Sequence, residues 1–363
     1  MRIVHLSDIH LSKDNFDELT YNYLDALIRD LSTFNSPIPI DLIVITGDLV
    51  DKGGHSLLGM KGFEGHTNPY HIFRKVFIEP VAEQLGIPLH RFLFVPGNHD
   101  VDEREIRLYD EHMLCKDINL QSVHGYLETN SGFVNNLRIK KFKDFEKEYY
   151  HGNDDYKFGV NQSTFFFERS GFKIGFILVN DSWRCKSIKL KSDSEKLFFG
   201  ARQLNEGLQD LEGKGTDLNI CLFHHAVDDY AEEAAVKGIL QRKNIELFLY
   251  GHFHNAQTNV YHTPYGSCLG FRTRAALFKP EELVSEYHCG YQILDFDLDA
   301  YKVVQVHYRK YNYQESGKNF NPDVETAPNG VDKNAPNGSN GFILNREGRE
   351  PKAPELPIEE FIS

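Results

Sequence analysis

A chain of 363 residues can bury an extensive core without disulfides and has room for one large domain or two ordinary ones. Its formal net charge of −13 argues against broad, sequence-independent attraction to nucleic acid, although divalent cations bound at one place would reverse the field there. Five scattered cysteines, Cys115, Cys185, Cys221, Cys268 and Cys289, contain no CxxC pair, which excludes a zinc ribbon or redox couple and predicts a reducing compartment.

The opening MRIVHLSDIH brings polar residues too early for a secretory signal, and no apolar run reaches the roughly 18 residues needed to span a bilayer, so a cytoplasmic protein without membrane contact is expected. Short runs of Ile, Val, Leu and Phe predict strands over 3–8, 42–48, 92–98, 173–181, 218–224 and 246–252. Helical periodicity between them predicts helices over 16–34, 70–85, 135–150, 201–211 and 230–242, and this alternation implies a layered α/β fold. Strands alone follow, with 291–297 and 302–311 facing each other as a hairpin. Two segments, 51–69 and 101–170, read as insertions after strand ends, where they would line the mouth of a site. Beyond a domain over 1–310, residues 311–363 are dense in Asn, Pro and Gly and read as a flexible tail or linker, whose end could dock a protein partner.

Five of the six predicted strands of the α/β part end on a polar cluster: SDIH at 7–10, TGDLVD at 46–51, PGNHD at 96–100, FHHA at 223–226 and YGHFHN at 250–255. Ligands bind at the carboxyl ends of strands in open α/β sheets, so these clusters are expected to converge. Asp8 and His10, two apart on an extended segment, would project to one side. Glycines before Asp48, Asn98 and His252 would let the backbone turn as each side chain is delivered. Carboxylates, imidazoles and one amide carbonyl suit Mn, Fe or Zn, and the absence of a cysteine from the set argues against a structural zinc site. Any one of these turns is ordinary; GNHD alone arises by chance in on the order of one chain in a thousand.

The ordered motifs DxH (Asp8, His10), GD (Gly47, Asp48), GNHD (97–100), a strand-terminal His224 and GHxH (251–254) resemble the calcineurin-like metallophosphoesterases over roughly residues 1 to 310. The resemblance implies a four-layer αββα sandwich of two mixed sheets, with one metal on Asp8, His10, Asp48 and His254 and a second on Asp48, Asn98, His224 and His252. It implies two divalent ions, manganese first and iron or zinc as alternatives, that activate a bridging hydroxide for in-line attack. His99 would protonate the leaving oxygen, Asp100 would orient that imidazole, and Asp51 would support a ligand histidine from behind. The substrate class expected is a phosphodiester: a nucleotide, cyclic nucleotide or nucleic-acid end. A phosphomonoesterase and an effector or scaffold module of a larger assembly are the alternatives.

Other residues carry weaker signals. His225, one past a proposed ligand on a strand, should face away from the site. His5, His262, His288 and His307 read as structural or surface groups, and His55, His66 and His71 form a loose group in the first insertion. The run from Asn180 to Arg184, with Gly200 and Gln203, resembles a segment of bacterial cyclic-nucleotide phosphodiesterase-like members. There Trp183 reads as a core anchor, and Arg184 as a phosphate ligand or a solvated arginine. RIKKFKDFEK at 138–147 reads as an amphipathic surface helix ahead of a nucleic-acid face. Phe63, Tyr70 and Trp183 are the aromatic residues that could hold a base if they face the mouth.

Overall fold

The computed structural model describes residues 1–109, 111–112, 118–129, 137–186, 197–242, 245–263, 266–277, 288–313, 317–334 and 340–344. Its strands are β1 (Arg2–Leu6), β2 (Leu42–Thr46), β3 (Phe92–Val95), β4 (Tyr156–Lys157), β5 (Gln162–Arg169), β6 (Phe172–Val179), β7 (Leu218–Leu222), β8 (Leu247–Tyr250), β9 (Gln257–Thr263), β10 (Gly266–Arg272), β11 (Gly290–Asp297), β12 (Lys302–Asn312), β13 (Asn319–Pro322), β14 (Val331–Asp332) and β15 (Phe342–Ile343). One mixed sheet runs β13-β12-β11-β1-β2-β3, with β14 and β15 also on β12; the other runs β4-β5-β6-β7-β8-β10-β9.

Side-chain alternation shows how the layers stack. In β6, β7 and β8, residues Ile174, Phe176, Leu178, Ile220, Leu222, Leu247 and Leu249 join the core between the sheets. Their neighbours Ile177, Val179, Cys221, Phe248 and Tyr250 form a second core with Leu204 and Leu211 of helix Arg202–Glu212 and Val236 and Leu240 of helix Glu233–Arg242. A strand with period-two alternation thus buries both faces, one on the opposite sheet and one on helices. Across the molecule, helix Leu24–Asn35 and the run from Pro69 to Leu85 cover β1, β2 and β3 with Leu27, Leu31, Phe73 and Phe77. The result is the expected αββα sandwich. β1, β2 and β3 are mutually parallel, as are β6, β7 and β8, so the carboxyl ends of each set lie at one edge of its sheet.

Two expectations about organisation need correction. The segment 101–170 is not wholly an insertion: helix Lys140–Tyr149 packs Phe142 and Phe145 into the core, and β4 and β5 extend the second sheet. The strands β9, β10 and β13–β15 were equally unmarked by periodicity. The tail is not a flexible linker over its described residues: β13, β14 and β15 each pair with β12, and Phe320, Phe342 and Leu344 are buried. Asn, Pro and Gly supply turns there, while a few apolar residues and the pairing needs of an edge strand supply the docking. Asp323, fully buried, accepts from Arg274 Nε at 2.7 Å and from Thr326 Oγ1 at 2.6 Å. The closing stretch PKAPELPIEEFIS lies outside the described residues, as does Cys115; the other four cysteines are buried. Among the described residues no helix is long and apolar enough to cross a membrane.

Candidate metal centre

The loops that leave β1, β2, β3, β7 and β8 meet where the two sheets face each other. Five of the seven proposed ligands stand in the left-handed region of backbone space: Asp8 (φ 54°), His10 (50°), Asp48 (54°), His252 (73°) and His254 (59°). Each such non-glycine residue costs about 1–3 kcal/mol and persists only where its surroundings dictate it. Interloop hydrogen bonds do so here. Asp8 N donates to Gly47 O at 3.0 Å, Ile9 N and His10 N to Asp48 O at 3.0 and 2.9 Å, and Gly251 N to His224 O at 3.0 Å. His252 N donates to Asp8 Oδ2 at 3.2 Å.

The side chains form two adjoining groups. In the first, His254 Nε2 lies 3.3 Å and His10 Nε2 3.8 Å from Asp8 Oδ1, and the same His10 nitrogen is 3.8 Å from Asp48 Oδ2. In the second, Asn98 Oδ1 lies 3.1 Å from His224 Nε2 and 3.0 Å from His252 Nδ1, and His224 Nε2 is 3.3 Å from Asp48 Oδ2. Asp48 therefore belongs to both groups. His224 Nδ1 donates to the carbonyl of Thr46 at 2.7 Å, which fixes the ring and turns Nε2 toward Asn98 and Asp48.

A cation fits the charges and the unsatisfied atoms of this site. Asp8 and Asp48 are both fully buried or nearly so, and Asp8 Oδ1 has no hydrogen-bond donor although two imidazole nitrogens face it. Burial alone would raise both carboxyls; the facing histidines outweigh it and hold them below the usual carboxylate range. Burial pushes His252 down to about 2, with the charges of His225 and His224 acting the same way, and burial also lowers His10, so both rings are neutral donors. His224 moves the other way: burial opposes, but Asp48 raises it to about 9. A proton on that ring neutralises the buried carboxylate, the task a bound cation would take over.

The glycines act by close approach more than by turning. Only Gly47 has a positive φ, at 95°; Gly97 is extended, with φ −109°, and Gly251 is not left-handed. A Cβ on Gly97 would lie 2.2 Å from Asp48 Oδ1, and one on Gly251 would lie 1.8 Å from Ser7 Oγ and 2.7 Å from Asp8 Oδ2. These residues let neighbouring loops touch at the carboxylates.

His99 sits beside the first group, its ring centroid 4.5 Å from that of His10, and its backbone N donates to Asp48 Oδ1 at 2.7 Å. Its Nδ1 pairs with Asp51 Oδ1 at 2.7 Å. This corrects the expected role of Asp100, whose carboxylate instead accepts from the backbone N of Gly97 at 2.8 Å and of Leu49 and Val50 at 3.2 Å, bracing the two ligand loops against each other. Burial, reinforced by the nearby Asp48 charge, raises Asp100 to about 7. Burial would lower His99, but the hydrogen bond it gives to Asp51 and the charges of Asp48 and Asp51 together outweigh it and raise the imidazole, favouring the protonated form.

His225 does not face away. Its ring centroid is 4.6 Å from that of His252, its Nδ1 is 3.0 Å from Asp181 Oδ2, and its Nε2 is 3.5 Å from Cys185 Sγ. The same Asp181 oxygen accepts from the backbone N of His224 and His225 and from Tyr230 Oη at 2.5 Å, so Asp181 fixes the turn that carries His224. Sequence reasoning gave Asp181 no role, although it lies at a predicted strand end and inside the run from Asn180 to Arg184. Arg184 is neither solvated nor poised at the site: it is buried and bonds Glu111 Oε1 at 2.7 Å, an acid shared with Arg138. Trp183 is a buried anchor stacked on Tyr126, and Tyr70 is buried with its hydroxyl on Asp100 O. Phe63 packs against Phe16. The exposed aromatic near the ligands is Phe253, between His252 and His254 in sequence, 42% exposed and with Arg272 Cζ 5.1 Å from its ring centroid. Its place inside the GHxH motif hid it. Of the other histidines, His5 bonds Thr46 and Gln292, His55 bonds Asp102 and His71 bonds Glu148.

The chain is similar to several known proteins, and a family model assigns it. A family model described as calcineurin-like phosphoesterase matches residues 1–256. An uncharacterized metallophosphoesterase-like protein of Bacillus subtilis, YydB, is 22% identical over 265 residues, which cover 72% of this chain and 50% of that one; the chain thus spans about half the length of this relative. Among solved structures, a 5'-nucleotidase precursor from Thermus thermophilus is similar at TM-score 0.40 and 13% identity, covering 82% of this chain and 51% of that one. Zinc-complexed Vps29 from Entamoeba histolytica is similar at TM-score 0.32 and 11% identity, covering 88% and 97%. The chain belongs to the calcineurin-like phosphoesterase family.

Proposed function

We propose that this protein hydrolyses phosphodiesters with two divalent cations held by Asp8, His10, Asp48, Asn98, His224, His252 and His254. The observation that carries the reading is the position of Asp48 Oδ2, 3.8 Å from His10 Nε2 of one ligand group and 3.3 Å from His224 Nε2 of the other. Cations bound there would lower the pKa of a water and offset charge on the phosphoryl oxygens. The mixed nitrogen and oxygen donors suit manganese, with iron or zinc as alternatives. His99 supplies the proton to the leaving oxygen: Asp51 holds Nδ1, leaving Nε2 for the transfer, and the neighbouring carboxylates shift the ring toward its charged form.

The diester preference rests on charge. Arg184, the cation that the sequence offered for a phosphate, is committed to Glu111, and two metal charges already balance a singly charged diester. Exposed Phe253 beside the ligands supports a substrate with a planar group, a short or cyclic nucleotide in preference to a long duplex, whose binding needs many basic contacts. The test is the manganese-loaded protein on bis-nitrophenyl phosphate and nitrophenyl phosphate under one metal condition. Faster diester turnover is expected, and a clear monoester preference overturns the proposal in favour of a phosphomonoesterase.

A further inference from the structure

The two histidines of the second ligand group are not held alike. A metal-binding imidazole is ordinarily oriented by a hydrogen bond on the nitrogen that faces away from the ion. His224 has such a bond, from Nδ1 to Thr46 O at 2.7 Å. His252 does not. Its Nδ1 lies 3.0 Å from Asn98 Oδ1, on the side of the ligands, and among the described residues its Nε2 meets no hydrogen-bond partner. Three rings flank it instead: His225 with centroids 4.6 Å apart at 52°, His224 at 5.2 Å and 71°, and Phe253 at 5.0 Å and 72°. With nothing on Nε2, rotation of the side chain is opposed only by this packing, which sets how much ordering an ion must impose on binding.

His225 is the part of that wall that cannot yield. Phe253 is exposed and His224 is itself a ligand, whereas His225 is buried and fixed from both sides. Its Nδ1 is 3.0 Å from Asp181 Oδ2 and its Nε2 3.5 Å from Cys185 Sγ, so both nitrogens are engaged and the ring acts by contact and not as a ligand. The two anchors are fixed in turn. Asp181 is fully buried and accepts from the backbone N of His224 and from Tyr230 Oη; Cys185 N donates to Ser182 O at 3.0 Å, and Cys185 O accepts from Arg138 Nη1 at 2.8 Å. The same ring stands edge-on to His224, with centroids 4.8 Å apart at 86°. We propose that His225 is a positioning residue for the second metal ion: Asp181 and Cys185 fix its ring, and that ring replaces the missing hydrogen bond by keeping His252 turned with Nδ1 toward Asn98. The inference rests on the two-ion reading of the site and concerns one ion, because the contacts reach His224 and His252 while the first group is built on His10 and His254.

Two substitutions separate the ring from its bonds. His225→Asn keeps an N–H near the place of Nδ1, and so the bond to Asp181, but removes the part of the ring that meets His252. His225→Phe keeps a flat ring and loses the bond. When manganese is added to the metal-free full chain, His225→Asn is expected to bind the first ion as the unaltered protein does and the second about 10- to 100-fold more weakly. Its electron paramagnetic resonance spectrum should show the six-line signal of an isolated manganese ion where the unaltered protein shows the broad signal of two coupled ions. His225→Phe should hold the second ion nearly as the unaltered protein does and keep the coupled signal. If His225→Asn does not fold, His225→Leu, which fills the space without a flat ring, takes its place with the same expectation. Two ions bound at unchanged affinity by the ringless variant, or a weakening that follows the lost bond and appears in His225→Phe alone, overturns the positioning role. Failure of the unaltered protein to bind two ions overturns the two-ion reading beneath it.

Discussion

Adding one methyl group at Gly97 should empty the candidate metal centre while leaving the fold in place. Gly97 has φ −109°, a conformation any residue adopts, so Gly97→Ala introduces no backbone strain. Its new Cβ would lie 2.2 Å from Asp48 Oδ1 and 2.4 Å from Asp48 N, about 1.2 Å inside an ordinary contact near 3.4 Å. Neither atom can swing clear easily, because Asp48 is left-handed, almost wholly buried and tied by its carbonyl to Ile9 N and His10 N. Overpacking of this kind costs about 1–3 kcal/mol of stability, which a domain of this size tolerates. A displacement of about 1 Å in a reacting centre costs on the order of 10²-fold in rate, and here it falls on the one carboxylate shared by both ligand groups. Elemental analysis after dialysis, turnover of bis-nitrophenyl phosphate and a thermal melt give the three readouts. Gly86→Ala is the control: Gly86 is a helix C-cap with φ 67° and nothing within 4 Å of its added Cβ, so strain alone should cost about 1 kcal/mol there and leave metal content unchanged. A Gly97→Ala protein that keeps two metal equivalents and activity within a few-fold would refute the reasoning.

Three other outcomes are expected. His99→Ala should retain its metals and lose about 10²–10⁴-fold in rate on alkyl esters but less on nitrophenyl esters, and Asp51→Asn should show the same leaving-group dependence in milder form, whereas Asp100→Asn should not; equal losses on both ester types would count against the acid assignment. Truncation after Asn312 should remove β13, β14 and β15 from the outer edge of β12 and with them the burial of Phe320, Phe342 and Leu344, each worth up to about 1.5–3 kcal/mol, so the shortened chain should melt earlier or precipitate; an unchanged melt would show that the tail adds nothing. Glu111→Gln should destabilise the protein by about 3–5 kcal/mol through the buried Arg138 and Arg184 while leaving KM in place, and a raised KM at unchanged stability would return Arg184 to the substrate.

The sequence by itself determined the metal-ligand candidates and the layered α/β order, because both are written in local pattern; the four-layer sandwich was what the resemblance to the family implied. Runs of Val, Ile, Leu and Phe ending on Asp, His or Asn at a turn identify parallel strands and the edge where they end, and glycines at Gly47, Gly97 and Gly251 mark where the backbone must make room. What periodicity does not carry is the pairing of residues far apart in the chain. The partner of His99 is Asp51, 48 residues away, and not the adjacent Asp100, because a residue's neighbour along a tight turn points elsewhere while a second loop faces it. His225 defeats strand alternation for the same reason: β7 ends at Leu222, and past the strand the turn, held by Asp181, sets side-chain direction. The tail shows the limit from the other side. Its composition describes turns correctly, but whether a few apolar residues suffice to dock it depends on an unsatisfied strand edge, and that edge exists only once the sheet is assembled.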